Sequence, residues 1–176
     1  MTNIVDEFAG RVNPVSINIE TLQYLDSMIK TKNITSVLEF GSGVSTEFWS
    51  EKLPDATIVS FDNSRRYTKI TRSRLNRKAV NATVSFAPLR IKKIFGLHYI
   101  TCKFLPKLRK IAPPKPFDVM LIDGPPGYLY AREATLLQAY PYLDENTLII
   151  LDDAERQIER ETIARWSSAV SYTHLT

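Results

Sequence analysis

The stretch Thr35-Ser-Val-Leu-Glu-Phe-Gly-Ser-Gly-Val-Ser-Thr46 decides the fold. Val37, Leu38 and Phe40 form a short apolar run that stops at Gly41-Ser42-Gly43. A helix-compatible segment follows, with Phe48 and Trp49 as its inward face. Ser45 or Thr46 is its expected N-cap. Strand, glycine turn and helix in succession open a ligand crevice at the carboxyl end of a strand in an open α/β sheet. Glycine suits that turn because it accepts positive φ and lets a ligand come close to the backbone.

Outward from this stretch, strands are expected at 57–61, 82–87, 117–122 and 147–151, with 117–122 apolar on both faces as a central parallel strand should be. Helices are expected at 17–29, 45–53, 64–78, 131–140 and 154–168, with Tyr67, Ile70 and Leu75 inward on the third and Ile158 and Trp166 on the last. The alternation predicts an α/β fold: a doubly wound, mainly parallel sheet with helices on both faces. Residues 1–34 read as a lead-in and covering helix, 35–168 as the α/β domain and 169–176 as a tail. No role is assigned to His174. The segment 89–116 is the least legible. Ile100, Phe104, Leu108 and Ile111 recur at helical spacing, while Pro106 opposes one continuous helix and Ala112-Pro-Pro-Lys-Pro116 forces an extended connector.

The glycine pattern is G-x-G-x-x-T, lacking the third glycine of the dinucleotide fingerprint. Glu39, two residues before the first glycine, would repel a pyrophosphate and attract a cation. Asp62 ends the second strand, where a carboxylate can accept both hydroxyls of a ribose. An adenosine-bearing cation, S-adenosylmethionine, fits these features better than a nicotinamide dinucleotide.

Leu38-Glu-Phe-Gly-Ser-Gly43, Phe61-Asp62 and Phe117-Asp-Val-Met-Leu-Ile-Asp-Gly124, in this order and spacing, make the chain resemble the class I S-adenosylmethionine-dependent methyltransferases over roughly residues 35–165. Ile122-Asp-Gly-Pro-Pro-Gly127 and Leu151-Asp-Asp153 are most similar to the small-molecule and glycan O-methyltransferase branches. The resemblance implies a Rossmann-like methyltransferase fold, here lacking the family's last two strands, and a cofactor site at Glu39, Gly41, Ser42, Gly43, Asp62, Asn63 and Asp123. The Asp or Asn that reads the adenine amino group in many members is replaced by Ala87-Pro88.

Methyl transfer to an oxygen requires an aligned acceptor and removal of its proton. Asp123, Asp152 and Asp153 all fall at strand carboxyl ends and are candidate hard-oxygen ligands for Mg²⁺ or Mn²⁺. Metal-dependent members of the resembled family place acid, acid and amide there, so Asp153 stands where Asn is usual. The competing role for Asp152 or Asp153 is to cap the last helix. The candidate proton acceptors are Asp123 and His98. Arg132 could clamp a carboxylate or phosphate on the acceptor through its planar fork, or be an ordinary helix surface residue.

The 176 residues carry a net charge of +4, but unevenly. From Arg65 to Lys115 there are fifteen Lys or Arg and no Asp or Glu. Such a block is either a solvated surface or the neighbour of an anion: an anionic acceptor, a membrane surface or a nucleic acid. A single cysteine, Cys102, excludes an internal disulfide and a cysteine-based metal site. With no apolar run long enough to span a bilayer and no basic-then-apolar leader, the expected location is cytoplasmic or peripheral to a membrane. The leading expectation is O-methylation of an anionic small molecule or sugar. The alternatives are a nucleic-acid methyltransferase and a non-catalytic cofactor-binding module of the same fold.

Overall fold

The computed structural model describes residues 7, 8, 10–12, 17–75, 81–126 and 130–173. Most of the expected lead-in, the end of the basic helix at 76–78, Gly127-Tyr128 and His174 lie outside the described residues. The elements in order are α1 (Ile19–Ile29), β1 (Ser36–Phe40), α2 (Val44–Lys52), β2 (Thr57–Asp62), α3 (Arg65–Leu75) and β3 (Ala82–Phe86). There follow β4 (Leu89–Ile94), β5 (Leu97–Cys102), α4 (Leu105–Ile111), β6 (Val119–Ile122), α5 (Ala131–Ala139), β7 (Leu148–Leu151) and α6 (Gln157–Thr173).

Five strands form one parallel sheet in the order β3-β2-β1-β6-β7. The order reverses at β1, so the crevice of a doubly wound sheet belongs at the carboxyl end of that strand. β1 is buried along its whole length and its side chains alternate between two cores. Val37 joins Leu22, Leu25, Phe48 and Trp49 beneath α1 and α2. Leu38 and Phe40 join Phe61, Phe104, Leu108 and Leu136 on the other face. There the Phe104 ring lies 4.7 Å from Phe40 and 5.5 Å from Phe61. Each such fully buried ring contributes on the order of 2–3 kcal/mol.

Polar devices fix the ends of elements. The Asn18 side chain accepts from Thr21 N at 2.7 Å and starts α1, with Ile17 before the cap and Leu22 in the first turn both buried in one cluster. Asp118 Oδ2 accepts from the backbone and hydroxyl of Thr35 (2.7 and 2.8 Å) and from Ser36 (2.9 and 3.2 Å), tying the start of β6 to the start of β1. Burial alone would raise the Asp118 carboxyl, but these bonds and Lys115 together hold it below the ordinary range.

Several expectations need correction. α2 begins at Val44 with Gly43 as N-cap, so neither Ser45 nor Thr46 caps it; Thr46 instead turns inward. On α3 the buried face is Thr68, Thr71 and Leu75, while Tyr67 is exposed; two threonines at inward positions conceal the helical period. Ile100 and Phe104 share no helix. Residues 89–102 form the antiparallel β4–β5 hairpin, and α4 starts at Leu105 with Pro106 in its first turn, where a missing N–H costs nothing. α6 begins four residues beyond Asp153 and buries Glu159 and Thr162 more deeply than Ile158 or Trp166.

Candidate functional site

A crevice of about 660 Å³ opens at the carboxyl edge of the sheet. Small-molecule sites commonly fall within roughly 300–1,000 Å³. The turn after β1 supplies Gly41, Ser42 and Gly43; the end of β2 supplies Asp62 and Asn63; β6 and β7 deliver Asp123, Asp152 and Asp153. α3 forms one wall.

The two glycines do different work. Gly41 has φ +99°, and a Cβ there would sit 3.1 Å from the Asp123 carbonyl carbon and 3.2 Å from Gly124 N, so only glycine lets the ends of β1 and β6 meet. Gly43 is extended (φ 172°), a conformation open to any residue, and a Cβ there would meet nothing within 4 Å. Its bare Cα therefore serves space rather than backbone geometry.

Asp62 is buried beside that turn. Its Oδ2 accepts from Ser42 N (2.9 Å) and Ser42 Oγ (2.8 Å), and its Oδ1 accepts from Ser64 N at 2.6 Å. The carboxylate is thus locked in one orientation at the crevice wall, with Oδ2 doubly engaged and further acceptor capacity on Oδ1.

Glu39 is fully buried and does not line the crevice. Its Oε2 accepts from Ser60 Oγ at 2.6 Å and from Thr46 Oγ1, and Gly43 N donates to that same Thr46 hydroxyl at 3.0 Å. Glu39 therefore orders the glycine turn through Thr46, while its Oε1 is buried without a hydrogen-bond partner among the described residues. Burial pushes its carboxyl up to about 7, against the lowering effect of the Ser60, Thr46 and Ser45 hydroxyls.

Asp123, Asp152 and Asp153 present carboxylate oxygens that all lie within 4.8 Å of one another, each half-buried. Burial first, and Asp152 second, push the Asp123 carboxyl up to about 8 against the opposing charge of Arg132. Thr21 Oγ1 on α1 donates to Asp152 Oδ1 at 3.2 Å. Arg156 Nη1 lies 2.8 Å from Asp153 Oδ2.

Arg132 is not a surface residue. At 3 % exposure it donates from Nη1 to Asp152 O (2.6 Å), from Nη2 to Asp123 O (3.0 Å) and Asp153 Oδ2 (3.2 Å), and from Nε to Pro125 O (3.3 Å). The buried Glu159 carboxylate lies 3.6 Å from Nε. Every nitrogen of the fork is engaged within the chain, so Arg132 binds the two strand-end turns together instead of clamping an acceptor.

The structure brings Gly41, Ser42, Gly43, Asp62, Asn63, Asp123, Arg132, Asp152 and Asp153 to one crevice. It does not bring His98 there: that residue is exposed on β5, paired with Lys93 across the hairpin. Sequence reasoning missed Arg66, Tyr67 and Arg74, which α3 presents to the crevice, and Arg156 at the opposite side. The carboxylate-free run containing the first three was visible, but which helix face it lined was not.

This arrangement, a glycine turn at the switch point of a parallel sheet with a buried acid after β2 and acids after β6 and β7, is a ligand site of the kind doubly wound sheets build, and it is the one expected of the class I S-adenosylmethionine-dependent methyltransferases. The chain belongs to that class, for a family model described as a methyltransferase domain matches residues 38–154. Among solved structures it is similar to an O-methyltransferase from Bacillus cereus in complex with SAH. The two are 20% identical, with a TM-score of 0.66, covering 96% of this chain and 76% of that one. It is also similar to the O-methyltransferase TomG from Streptomyces achromogenes, involved in tomaymycin synthesis and in complex with SAM (15% identity, TM-score 0.62, 96% and 74% covered). A precorrin-6y C5,15-methyltransferase from Geobacter metallireducens aligns at 20% identity and TM-score 0.61, covering 92% and 78%. At these identities the likeness is one of fold. A search of curated protein sequences finds no match.

Proposed function

We propose that the chain transfers the methyl group of S-adenosylmethionine to an oxygen of an anionic small molecule or sugar, with the cofactor held by Gly41, Ser42, Gly43, Asp62 and Asn63. The observation that carries this reading is the shared edge: the open Gly43 backbone, the oriented Asp62 carboxylate and the acid cluster line a single crevice. In this reading Asp62 would accept from the ribose through Oδ1, and the open space at Gly43 would take the cofactor's amino-acid arm. Arg66 on α3, which lines the crevice, supports an anionic acceptor, whereas Arg156 is already paired with Asp153.

S-adenosylmethionine supplies an electrophilic methyl on sulfur; the chain's own work is alignment, exclusion of water and management of the acceptor's proton. Three carboxylates whose oxygens fall within 4.8 Å suit a hard divalent ion, and Asp123 and Asp152, with Asp153 assisting, would hold Mg²⁺ or Mn²⁺. Such an ion would lower the acceptor hydroxyl's pKa. Asp153 already faces Arg132 and Arg156, so it is the weakest donor of the three. Without an ion, Asp123 is the base within the crevice.

Two outcomes test this reading. Gly43→Leu should cost only about 1 kcal/mol of stability, the loss of a favourable N-cap residue at an otherwise unobstructed position, yet weaken S-adenosylhomocysteine binding at least about tenfold. Gly41→Ala should lose stability and binding together, because its Cβ collides with the 123–124 backbone. Equal binding by Gly43→Leu would place the ligand elsewhere. For the ion, transfer of labelled methyl to a panel of carboxylated and phosphorylated hydroxy acceptors should stop in excess chelator and return with Mg²⁺ or Mn²⁺. Undiminished transfer in chelator would assign the proton to Asp123 alone.

A further inference from the structure

We propose that the β4–β5 hairpin is a membrane-interface anchor whose apolar tip enters the headgroup region of an anionic bilayer while surrounding cations bind lipid phosphates. This goes beyond the methyltransferase reading and does not depend on it.

One face of the hairpin is fully used. Thr101 accepts from Gln138 Nε2, Lys92 Nζ donates to Gln138 Oε1 at 3.1 Å, and Tyr99 Oη donates to Glu133 Oε1 at 3.4 Å, all on α5. The tip is apolar and exposed, with Phe95 and Leu97 at 87 % and 63 %, and the face turned from α5 exposes Ile91 (72 %) beside the cross-strand pair Lys93 and His98. Phe95 and Gly96 form the turn, both left-handed at φ 47° and 86°. Asn or Gly is the usual choice for such a turn, and an aromatic side chain held there in solvent gains nothing from the fold to offset its backbone strain. An interfacial aromatic gains from a lipid headgroup layer.

The charge around the tip selects the partner. Arg90, Lys92 and Lys93 lie on the hairpin itself, within a run from Arg65 to Lys115 that contains no acid. Burial, and then Arg90 and Arg109, lower the proton affinity of Lys92, as expected where cations crowd together. A second copy of this chain would bring the same positive hairpin and be repelled. A nucleic acid would satisfy the cations but leave the apolar tip in water. An anionic lipid surface satisfies both.

The orientation is productive. From Thr101 beside Gln138 to Tyr99 beside Glu133, the hairpin runs toward the N-terminal end of α5, where Arg132 meets the ends of β6 and β7. The tip therefore projects on the same edge of the sheet as the crevice.

The full chain should be sedimented with vesicles of phosphatidylcholine alone and of equimolar phosphatidylcholine and phosphatidylglycerol. Binding to the mixed vesicles should be at least about tenfold tighter at low salt and should weaken as salt is added. Phe95→Ser with Leu97→Ser should lower it at least about tenfold while leaving the thermal midpoint and S-adenosylhomocysteine binding unchanged. Lys93→Glu should weaken it and flatten the salt dependence. The proposal is overturned if anionic vesicles are not preferred, or if the Phe95/Leu97 variant binds them as well as the wild type. It is also overturned if the variant's main effect is to turn a dimer into a monomer by light scattering, which would make the tip a self-association surface.

Discussion

Replacing Arg132 by Met is expected to cost about 3–5 kcal/mol of folding stability, the range for removing one partner of a buried ionic network. The guanidinium binds the carbonyls of Asp123, Pro125 and Asp152 and faces the carboxylates of Asp123, Asp153 and Glu159. Met fills a similar volume but satisfies none of these acceptors and removes the buried cation that Asp123, Asp153 and Glu159 share, leaving only the exposed Arg156 beside Asp153. The Lys30–Asp26 pair is shorter, 2.5 Å, but the lysine is largely exposed and sits one helical turn away from its partner. Lys30→Met should therefore cost no more than about 0.5 kcal/mol. Urea unfolding of both variants makes the comparison. A loss at Arg132 no larger than that at Lys30 would mean that the strand-end turns hold without it.

Glu39→Gln is expected to stabilise the ligand-free protein at pH 8 while changing it far less at pH 5. The folded carboxyl titrates at about 7 against an ordinary value of 4.5, with burial as the leading cause. A carboxyl raised on folding contributes stability that is fully present below about 4.5 and is lost as pH rises through about 7. Above that point the folded chain must bury an anion beside Asp62, whereas Gln stays neutral and can still accept from Thr46 and Ser60. The stability difference between variant and wild type should swing by about 3 kcal/mol between the two pH values. A difference that is flat from pH 5 to 8 would show that Glu39 titrates as an exposed carboxyl does.

The same two residues mark how far the sequence could be read. The glycine turn, the five-strand alternation and the acids at strand ends were legible because each is local: a turn needs its glycine, a strand its apolar run. Glu39 and Arg132 were placed in the right neighbourhood, but the partners they have within the chain were not foreseen. Both are charged residues whose buried hydrogen-bond partners come from other elements: Ser60 on β2, and the carbonyls after β6 and β7. The hairpin was illegible for a different reason. Its exposed Ile91, Phe95 and Leu97 break the alternation a solvated strand should show, and the spacing of Ile100, Phe104, Leu108 and Ile111 imitates a helix that Pro106 in fact begins. His98 drew notice for its chemistry alone, and nothing in its neighbours revealed that it faces away from the crevice.

The most direct measurement is calorimetric titration of the wild-type chain and of Asp62→Ala with S-adenosylmethionine and, separately, with NAD. The account predicts saturable binding of S-adenosylmethionine by the wild type, no comparable binding of NAD, and a loss of about 1–3 kcal/mol in the variant, as expected for removing buried, charge-assisted hydrogen bonds. Binding of NAD in preference to S-adenosylmethionine, or an unchanged affinity in Asp62→Ala, would contradict it.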